Sequence, residues 1–424
     1  MSWVLFGLPL LLLALGFPVF IALLAAAAVT LTFFMNVPGV AVHRALFGSM
    51  DTYALLAVPF YLFAGELMAR GSMSRRLVDW AMSLMGGMRG GLGLVTLSGS
   101  TFFGAISGSS VATVAAIGRL VQAPLEAQGY DQRFGPALVA ASAAVALLIP
   151  PSIALILYGI AAQQSITRLF AAGILPGLLM SVVLGVYIYI MARVKGLKAV
   201  RPFEGRAFVR ASGQSSLALG MPIIILGGIY FGVFSPTEAA GVACVYALVV
   251  SCGIYRDVSL RAAWDTAVQS MYLTSQILII VAAAGVFSWV MTTNGVPRML
   301  AGGIANLDIT TWQLLIVINL LLLVVGCFID TPSAILLLTP LLLPIVQAVG
   351  VDPIHFGIIM TMNLSIGLFT PPFGLNLFVT QALMRPRPSD LYLGVMPFVA
   401  VSVLALLIVT FIPSISLALL PYLY

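Results

Sequence analysis

Apolar residues in this chain come in long uninterrupted blocks, separated by short segments that hold nearly all of its charge. They do not recur every third or fourth position, as they would on a helix with one wet face. Blocks near 20 residues match a bilayer core about 30 Å thick, and Leu-, Ile-, Ala- and Val-rich runs lack the strict alternation of a membrane barrel. Backbone groups in lipid must pair within their own segment, so the blocks read as helices. The pattern predicts spans over 2–16, 18–35, 51–70, 136–164, 168–193, 216–234, 236–255, 270–293, 354–384 and 391–421. Two further segments, 91–122 and 312–349, carry small polar residues midway and are expected to turn back on themselves.

Two of these blocks are broken by adjacent prolines, at Ile149-Pro150-Pro151-Ser152 and Thr370-Pro371-Pro372-Phe373. Proline lacks the amide hydrogen and crowds the preceding turn, so each pair should interrupt its helix. A lone proline would mean only a kink. A matched pair of broken hydrophobic segments in two halves of a chain points to a transporter's binding site. Other correspondences occur in the same order. Gly16-Phe17-Pro18 pairs with Phe234-Ser235-Pro236, Arg70-Gly71-Ser72-Met73 with Asn294-Gly295-Val296-Pro297, and Ser107-Gly108-Ser109-Ser110 with Asp330-Thr331-Pro332-Ser333. The offsets stay between 218 and 224 residues. The expected architecture is an all-α polytopic membrane protein of two repeats, 1–210 and 211–424, each with a hairpin and a broken helix. Five spans per repeat make the second inverted relative to the first.

Charge fixes the orientation. With both hairpins re-entrant, 16 of the 19 Lys and Arg residues fall on one side, leaving Arg44, Arg168 and Arg298 opposite. With single crossings the count on that side drops to 8. The positive-inside rule selects the hairpins, and both termini then lie outside. After the first tip only Val111–Gly118 is free of charge before Arg119, a reach of about 12 Å that cannot cross the membrane.

Composition sharpens this picture. The chain is 61% hydrophobic and 8% charged, with a formal net charge of +6 and a mean hydropathy of +1.14. Its basic residues punctuate spans and form no soluble patch, so nucleic acid is not an expected partner. Cys244, Cys252 and Cys327 lie in apolar segments without metal-ligand spacing and read as small core residues. No basic leader or A-x-A site precedes the first block, so no cleaved signal peptide is expected. Trp80, Trp264 and Trp312 suit interfacial anchors.

The candidate chemistry sits at the tips and breaks. Ser107–Ser110 offers glycine-permitted turning, hydroxyls and unwound carbonyls that can hold a cation, while the return leg points N–H groups at an anion. A small-residue packing motif is the plainer reading of the same residues. Asp330, with Thr331 and Ser333, places a carboxylate at membrane depth, where it costs about 2.5–3.5 kcal/mol on insertion scales. Capping the helix that starts near Pro332 is its structural role, and capping is compatible with cation binding. Asn363, Ser365, Thr370, Gly374 and Asn376 surround the second break, and Ser142, Ser152 and Tyr158 the first. Glu238 follows Ser235-Pro236-Thr237 as a helix start. Glu66 precedes Arg70 by four residues, so it could pair with that arginine or face a site. His43 and His355 fall in loop-like segments without assigned chemistry. Catalytic sets and a phosphate-binding Walker loop are missing, so no enzymatic activity is expected.

Five stretches carry a family resemblance: the run from Gly104 to Thr113, Ile149-Pro150-Pro151-Ser152, Ala172-Gly173-Ile174-Leu175-Pro176-Gly177, Pro236-Thr237-Glu238-Ala239-Ala240, and the run from Thr370 to Asn376. They resemble signature stretches of the large permease subunit of TRAP (tripartite ATP-independent periplasmic) transporters, and the likeness covers the whole chain. One departure is Ser235, where the family often has Thr. The resemblance implies an elevator-type transporter in the bacterial inner membrane. It implies sodium-coupled uptake of an organic acid anion, such as a dicarboxylate or sialic acid, with no cofactor beyond the coupling Na+. It also implies two partners, a periplasmic binding protein and a separate small four-helix membrane subunit, since the first repeat begins at residue 2. The ion sites carried over are Ser107, Gly108, Ser109 and Ser110 with Pro150, and Asp330, Thr331 and Ser333 with Thr370, Pro371 and Gly374. Ser109, Ser152, Thr331, Ser333 and Asn376 are the expected substrate contacts. A proton-coupled carrier of the same fold class is the nearest alternative, and a channel or scaffold subunit a more distant one.

Overall fold

The computed structural model describes residues 3–35, 37–200, 202–305 and 309–423. Met1, Ser2 and Arg201, which enter the amino-terminal reading and the charge count above, lie outside them. The described residues form helices joined by short links. A π-helical turn, Trp3–Gly7, leads into α1 (Leu8–Ala14), followed by α2 (Val19–Phe34), α3 (Gly39–Met50) and α4 (Ala57–Arg70). The amphipathic α5 (Met73–Met85) precedes a hairpin of α6 (Gly91–Ser107) and α7 (Ser110–Ala127). Then come α8 (Phe134–Ala144) and α9 (Ile153–Ala161) around the first double proline, and the long α10 (Ile166–Val194). The second half runs through α11 (Gly205–Tyr230), α12 (Pro236–Leu248), α13 (Leu260–Thr293) and α14 (Val296–Ala305). It continues with the hairpin α15 (Thr311–Phe328) and α16 (Thr331–Ala348), then α17 (Pro353–Gly367) and α18 (Leu375–Met384) around the second double proline. It closes with α19 (Pro388–Phe411), α20 (Pro413–Leu417) and α21 (Leu420–Leu423).

Both hairpins return to where they start. The amide of Gly93, at the start of α6, donates to the Tyr130 hydroxyl just past α7 (3.1 Å). Thr311, at the start of α15, donates to the carbonyl of Val349 after α16 (3.3 Å). Among the described residues seven helices are long and apolar enough to cross a membrane, or up to eight if α3 and α4, bent by 51°, count as one span. Five of the seven, α10, α11, α12, α13 and α19, answer to expected spans, and the other two are α15 and α16, the legs of the second hairpin; each double proline splits one further expected span into two short helices. Pro413 likewise ends α19 at Phe411, well before the expected 421.

Two packed groups emerge. In one, α13 lies against α2, α3 and α4, and α12 against α4 and α11. In the other, both hairpins pack with the broken helices, α10 and α19. Helix α5 bridges them, lying against α11 on one side and α6 on the other, and α14 touches both α13 and α16. Within the second group, the helix before each break packs on the hairpin of its own half (α8 on α6, α17 on α15). The helix after each break packs on the hairpin of the other half (α9 on α16, α18 on α7).

Several local expectations change. His43 and Arg44 lie in the helix α3, whose few polar residues hide it in the sequence. His355 is buried in the first turn of α17, where its ring nitrogens meet the Ser416 hydroxyl (3.2 Å) and the Thr410 carbonyl (3.3 Å). Trp80 is partly buried: its ring stands edge-on to Phe102 and its indole N–H donates to Ser212 (3.2 Å). Glu238 closes a capping box with Ser235 at the start of α12.

Candidate functional site between the hairpin tips

The first tip turns at Gly108, whose φ of +57° is left-handed. A Cβ there would stand 2.8 Å from the Pro151 carbonyl oxygen and 3.1 Å from the Ile153 nitrogen. The tip therefore rests directly on the first break. Ser109 caps α7, accepting from the Ala112 amide (3.4 Å), and its carbonyl accepts from the Thr113 hydroxyl (2.7 Å). Ser152 caps α9 in the same way, and its own hydroxyl donates to the Leu147 carbonyl left free by the break (2.5 Å). Asn376 ties the halves together: its amide donates to the Ser110 hydroxyl (2.7 Å) and to the Ala140 carbonyl (3.0 Å).

The second tip turns through Ile329-Asp330. Asp330 caps α16, accepting from the Ser333 amide (3.2 Å). Phe328 on this tip packs against Phe373 of the second break, ring centroids 5.4 Å apart. Thr370 turns its hydroxyl back to the Ile366 carbonyl (2.7 Å). Both double prolines have a cis bond, Pro150-Pro151 and Pro371-Pro372.

A close contact recurs in the two halves. Four residues before the first tip turn, Gly104 meets Ala146, four residues before Pro150; a Cβ on Gly104 would lie 2.6 Å from the Ala146 Cα. Four residues before Asp330, Gly326 meets Gly367, four residues before Pro371; a Cβ on Gly367 would lie 2.4 Å from the Gly326 carbonyl carbon. Small residues here let each hairpin lie backbone to backbone on its broken helix.

The tips enclose one side of a cavity of about 520 Å³. Its wall includes the first turns of α7 (Ser110, Val111), α9 (Ile153, Ala154), α16 (Thr331, Pro332) and α18 (Leu375). Four helix N-termini thus converge on one space, each with a partial positive charge and first-turn N–H groups, of which one on each of α7, α9 and α16 is already capped by Ser109, Ser152 and Asp330. The opposite wall belongs to the first group of helices, with Leu62 and Glu66 of α4 and Gln269, Leu273 and Gln276 of α13. A second cavity, about 680 Å³, continues from the first toward the Arg-rich side, sharing Glu66, Ala112, Ala115, Arg119 and Gln269 with it.

Of the residues singled out from sequence, Gly108, Ser109, Ser110, Asp330 and Thr331 line the cavity. Ser107, Pro150, Ser152, Thr370, Pro371, Gly374 and Asn376 are absent from its wall, and Ser333 faces a separate apolar gap beside the α1–α2 turn. Buried oxygens without a hydrogen-bond partner in the protein include Thr331 Oγ1 on the tip, Ser142 Oγ on α8, Asn363 Oδ1 on α17 and Asn376 Oδ1 on α18. Oxygen donors of this kind suit a small hard cation. No cluster of three or more His, Cys, Asp or Glu suited to a metal occurs among the described residues. Glu66 forms no ion pair with Arg70, which donates instead to Gln269 Oε1 (3.0 Å). Sequence reasoning missed Gln269 and Gln276, because single polar residues in a long apolar helix give no signal of which face is wet.

Comparison with known proteins agrees with this geometry. Residues 6–415 match the family model described as "Tripartite ATP-independent periplasmic transporter, DctM component". The chain is 42% identical over 374 residues to the C4-dicarboxylate TRAP transporter large permease protein DctM of Pseudomonas aeruginosa, covering 88% of each. It is 40% identical over 415 residues to the isethionate TRAP transporter permease protein DctMQ of Oleidesulfovibrio alaskensis, covering 98% of this chain but only 65% of that protein. Among solved structures, the YdaH transporter of Alcanivorax borkumensis shares the fold, with a TM-score of 0.66 at 14% identity over 97% of this chain and 99% of that one. The chain therefore belongs to the DctM-component family of tripartite ATP-independent periplasmic transporters: it is a multi-pass membrane permease and not an enzyme.

Proposed function

We propose that this permease takes up a small organic acid anion by coupling it to sodium, and that the cavity between the two hairpin tips is where anion and ion are carried. The observation that supports this most is the cavity wall itself, in which one space is lined by both tips and by four helix N-termini. An anion's carboxylate or sulfonate would meet those N–H groups, with Ser109 and Thr331 as the first hydroxyl contacts. The two relatives compared above are named for a C4-dicarboxylate and isethionate, both small anions, and others for sialic acid and ectoine. Sodium would bind beside each tip, at Ser107–Ser110 with the Pro150 break and at Asp330–Ser333 with the Thr370–Gly374 break. Ser152 and Asn376 then act behind the site, holding the helix ends that face it.

The two packed groups fit an elevator. The hairpins and broken helices would move as one body, while α2–α4 and α11–α13 stay as a frame, with α5 and α14 as arms between them. The recurring Gly104–Ala146 and Gly326–Gly367 contacts support two inverted repeats as the origin of that body. On this reading the protein sits in the bacterial inner membrane with periplasmic termini. It works with a separate four-helix membrane subunit and a periplasmic binding protein that delivers the anion. The test is uptake of radiolabelled succinate and isethionate into proteoliposomes containing the permease, its membrane subunit and its binding protein. Sodium-gradient-driven, saturable uptake is expected. Uptake driven equally well by a proton gradient with choline replacing sodium would overturn the coupling.

A further inference from the structure

We infer that Arg119, with Arg70 and Arg75, forms a second anion-binding station at the Arg-rich mouth of the inter-tip cavity, selecting small carboxylates and sulfonates as they leave. The inference rests on the reading of that cavity as the translocation site. Its residues come from both packed groups. On α7, Ala112, Ala115, Ala116 and Arg119 fall at positions i, i+3, i+4 and i+7, which makes one helical face, and all four line the wider cavity. Arg70 ends α4, in the other group, and Arg75 lies in the first turn of the bridging helix α5; both line the same space.

The charge in this vestibule is not internally balanced. Among the described residues Arg75 and Arg119 make no hydrogen bond or ion pair with the protein, and Arg70 is bound only to the neutral Gln269. Of the two carboxylates in the wall, Asp257 accepts from the Ser72 amide (2.6 Å), and Glu66 lies within electrostatic reach of Arg70 and Arg119 without forming a close ion pair with either. Three guanidinium groups and two carboxylates therefore line a cavity of about 680 Å³, which leaves one formal positive charge in excess. Guanidinium is the side chain best suited to a two-point grip on a carboxylate or sulfonate. Because Arg119 also lines the inter-tip cavity, an anion moving out along the α7 face passes directly from helix N-termini to guanidinium. Ala112, Ala115 and Ala116 keep that face narrow in side chain and open in space.

The experiment uses Ala115→Cys, which puts a thiol one turn before Arg119. It compares the modification rates of the purified full-length variant by negatively and positively charged methanethiosulfonate reagents. Mass spectrometry separates the introduced thiol from Cys244, Cys252 and Cys327, and the rates are normalised to those of a free thiol. We expect the anionic reagent to be favoured about tenfold, as in a cleft that concentrates counter-ions. Adding Arg119→Gln should remove most of that preference, and Arg119→Lys should retain it. Millimolar succinate or isethionate should slow the anionic reagent when Arg119 is present and leave it unchanged in Arg119→Gln. Equal rates for both reagents, a preference indifferent to Arg119→Gln, or protection by phosphatidylglycerol alone would overturn the proposal. No transport is measured, so this failure is distinct from a failure of sodium coupling.

Discussion

Gly367→Ala tests whether the hairpin and the broken helix must touch backbone to backbone. The new Cβ would lie 2.4 Å from the Gly326 carbonyl carbon, 2.5 Å from its Cα and 2.7 Å from its oxygen. Ordinary contact begins near 3.4 Å, so α15 and α17 must part by about 1 Å. No flexible side chain can absorb that movement, which puts the cost at the upper end of the overpacking range, about 3 kcal/mol. An unfolding entropy of about 2.1 cal/mol/K per residue, taken over 424 residues, gives about 0.9 kcal/mol per degree. The expected fall in apparent melting temperature is thus about 3 °C. Gly241→Ala is the control, since nothing lies within 4 Å of its Cβ on α12. There helix propensity should raise stability by up to about 1 kcal/mol, or about 1 °C. The same 1 Å separation displaces the second tip from its break four residues on, so Gly367→Ala should also weaken sodium-dependent uptake while Gly241→Ala does not. Melting like wild type with unchanged uptake would refute the packing argument.

Asn376→Ala should leave the Ser110 hydroxyl and the Ala140 carbonyl without their shared donor. At about 1–3 kcal/mol for each buried group stranded, the apparent melting temperature should drop by a few degrees, read by the same thermal scan. Asp131, in the loop after α7, is pushed up by partial burial, but its bond to Lys195 and the Phe134 and Arg133 amides outweigh this and hold it below the usual carboxylate range. A depressed folded pKa stabilises above the unfolded value near 3.9 and loses that stability as pH falls through the folded one. The stability gap between wild type and Asp131→Asn should therefore be open at pH 7 and close below about pH 4. For a pair this exposed the gap should be a few tenths of a kcal/mol to about 1 kcal/mol, and a gap independent of pH would contradict the assignment.

The all-helical membrane class was legible because 61% apolar composition in long blocks has few other physical solutions. The double prolines announced interruptions for an equally local reason, the loss of two adjacent amide donors. Less local features stayed hidden. Nothing in the sequence says that α18 packs on the hairpin of the other half, so the bonds of the Asn376 amide to Ser110 and Ala140 could not be foreseen. His355 follows Pro353 and resembles a loop residue, yet Asp352 caps a helix there by accepting from the Ile354 and His355 amides (2.8 and 3.0 Å). Arg119 entered the sequence argument only as a topological charge. Its place in the wall of both cavities depends on how two separate groups of helices meet, which residue order does not encode.

The central claim, that the tips form sodium sites with Asp330 supplying charge, is tested most directly by thermal stability in sodium against choline at equal ionic strength. Sodium at ten times its Kd adds about 1.4 kcal/mol per site, so two sites should raise the apparent melting temperature by about 3 °C. Asp330→Asn separates charge from capping, because Asn caps a helix as well as Asp does. The account predicts that Asp330→Asn melts near wild type in choline but loses about half of the sodium shift. A full sodium shift in Asp330→Asn would contradict the role of Asp330, and no sodium-specific shift in the wild type would contradict the sites themselves.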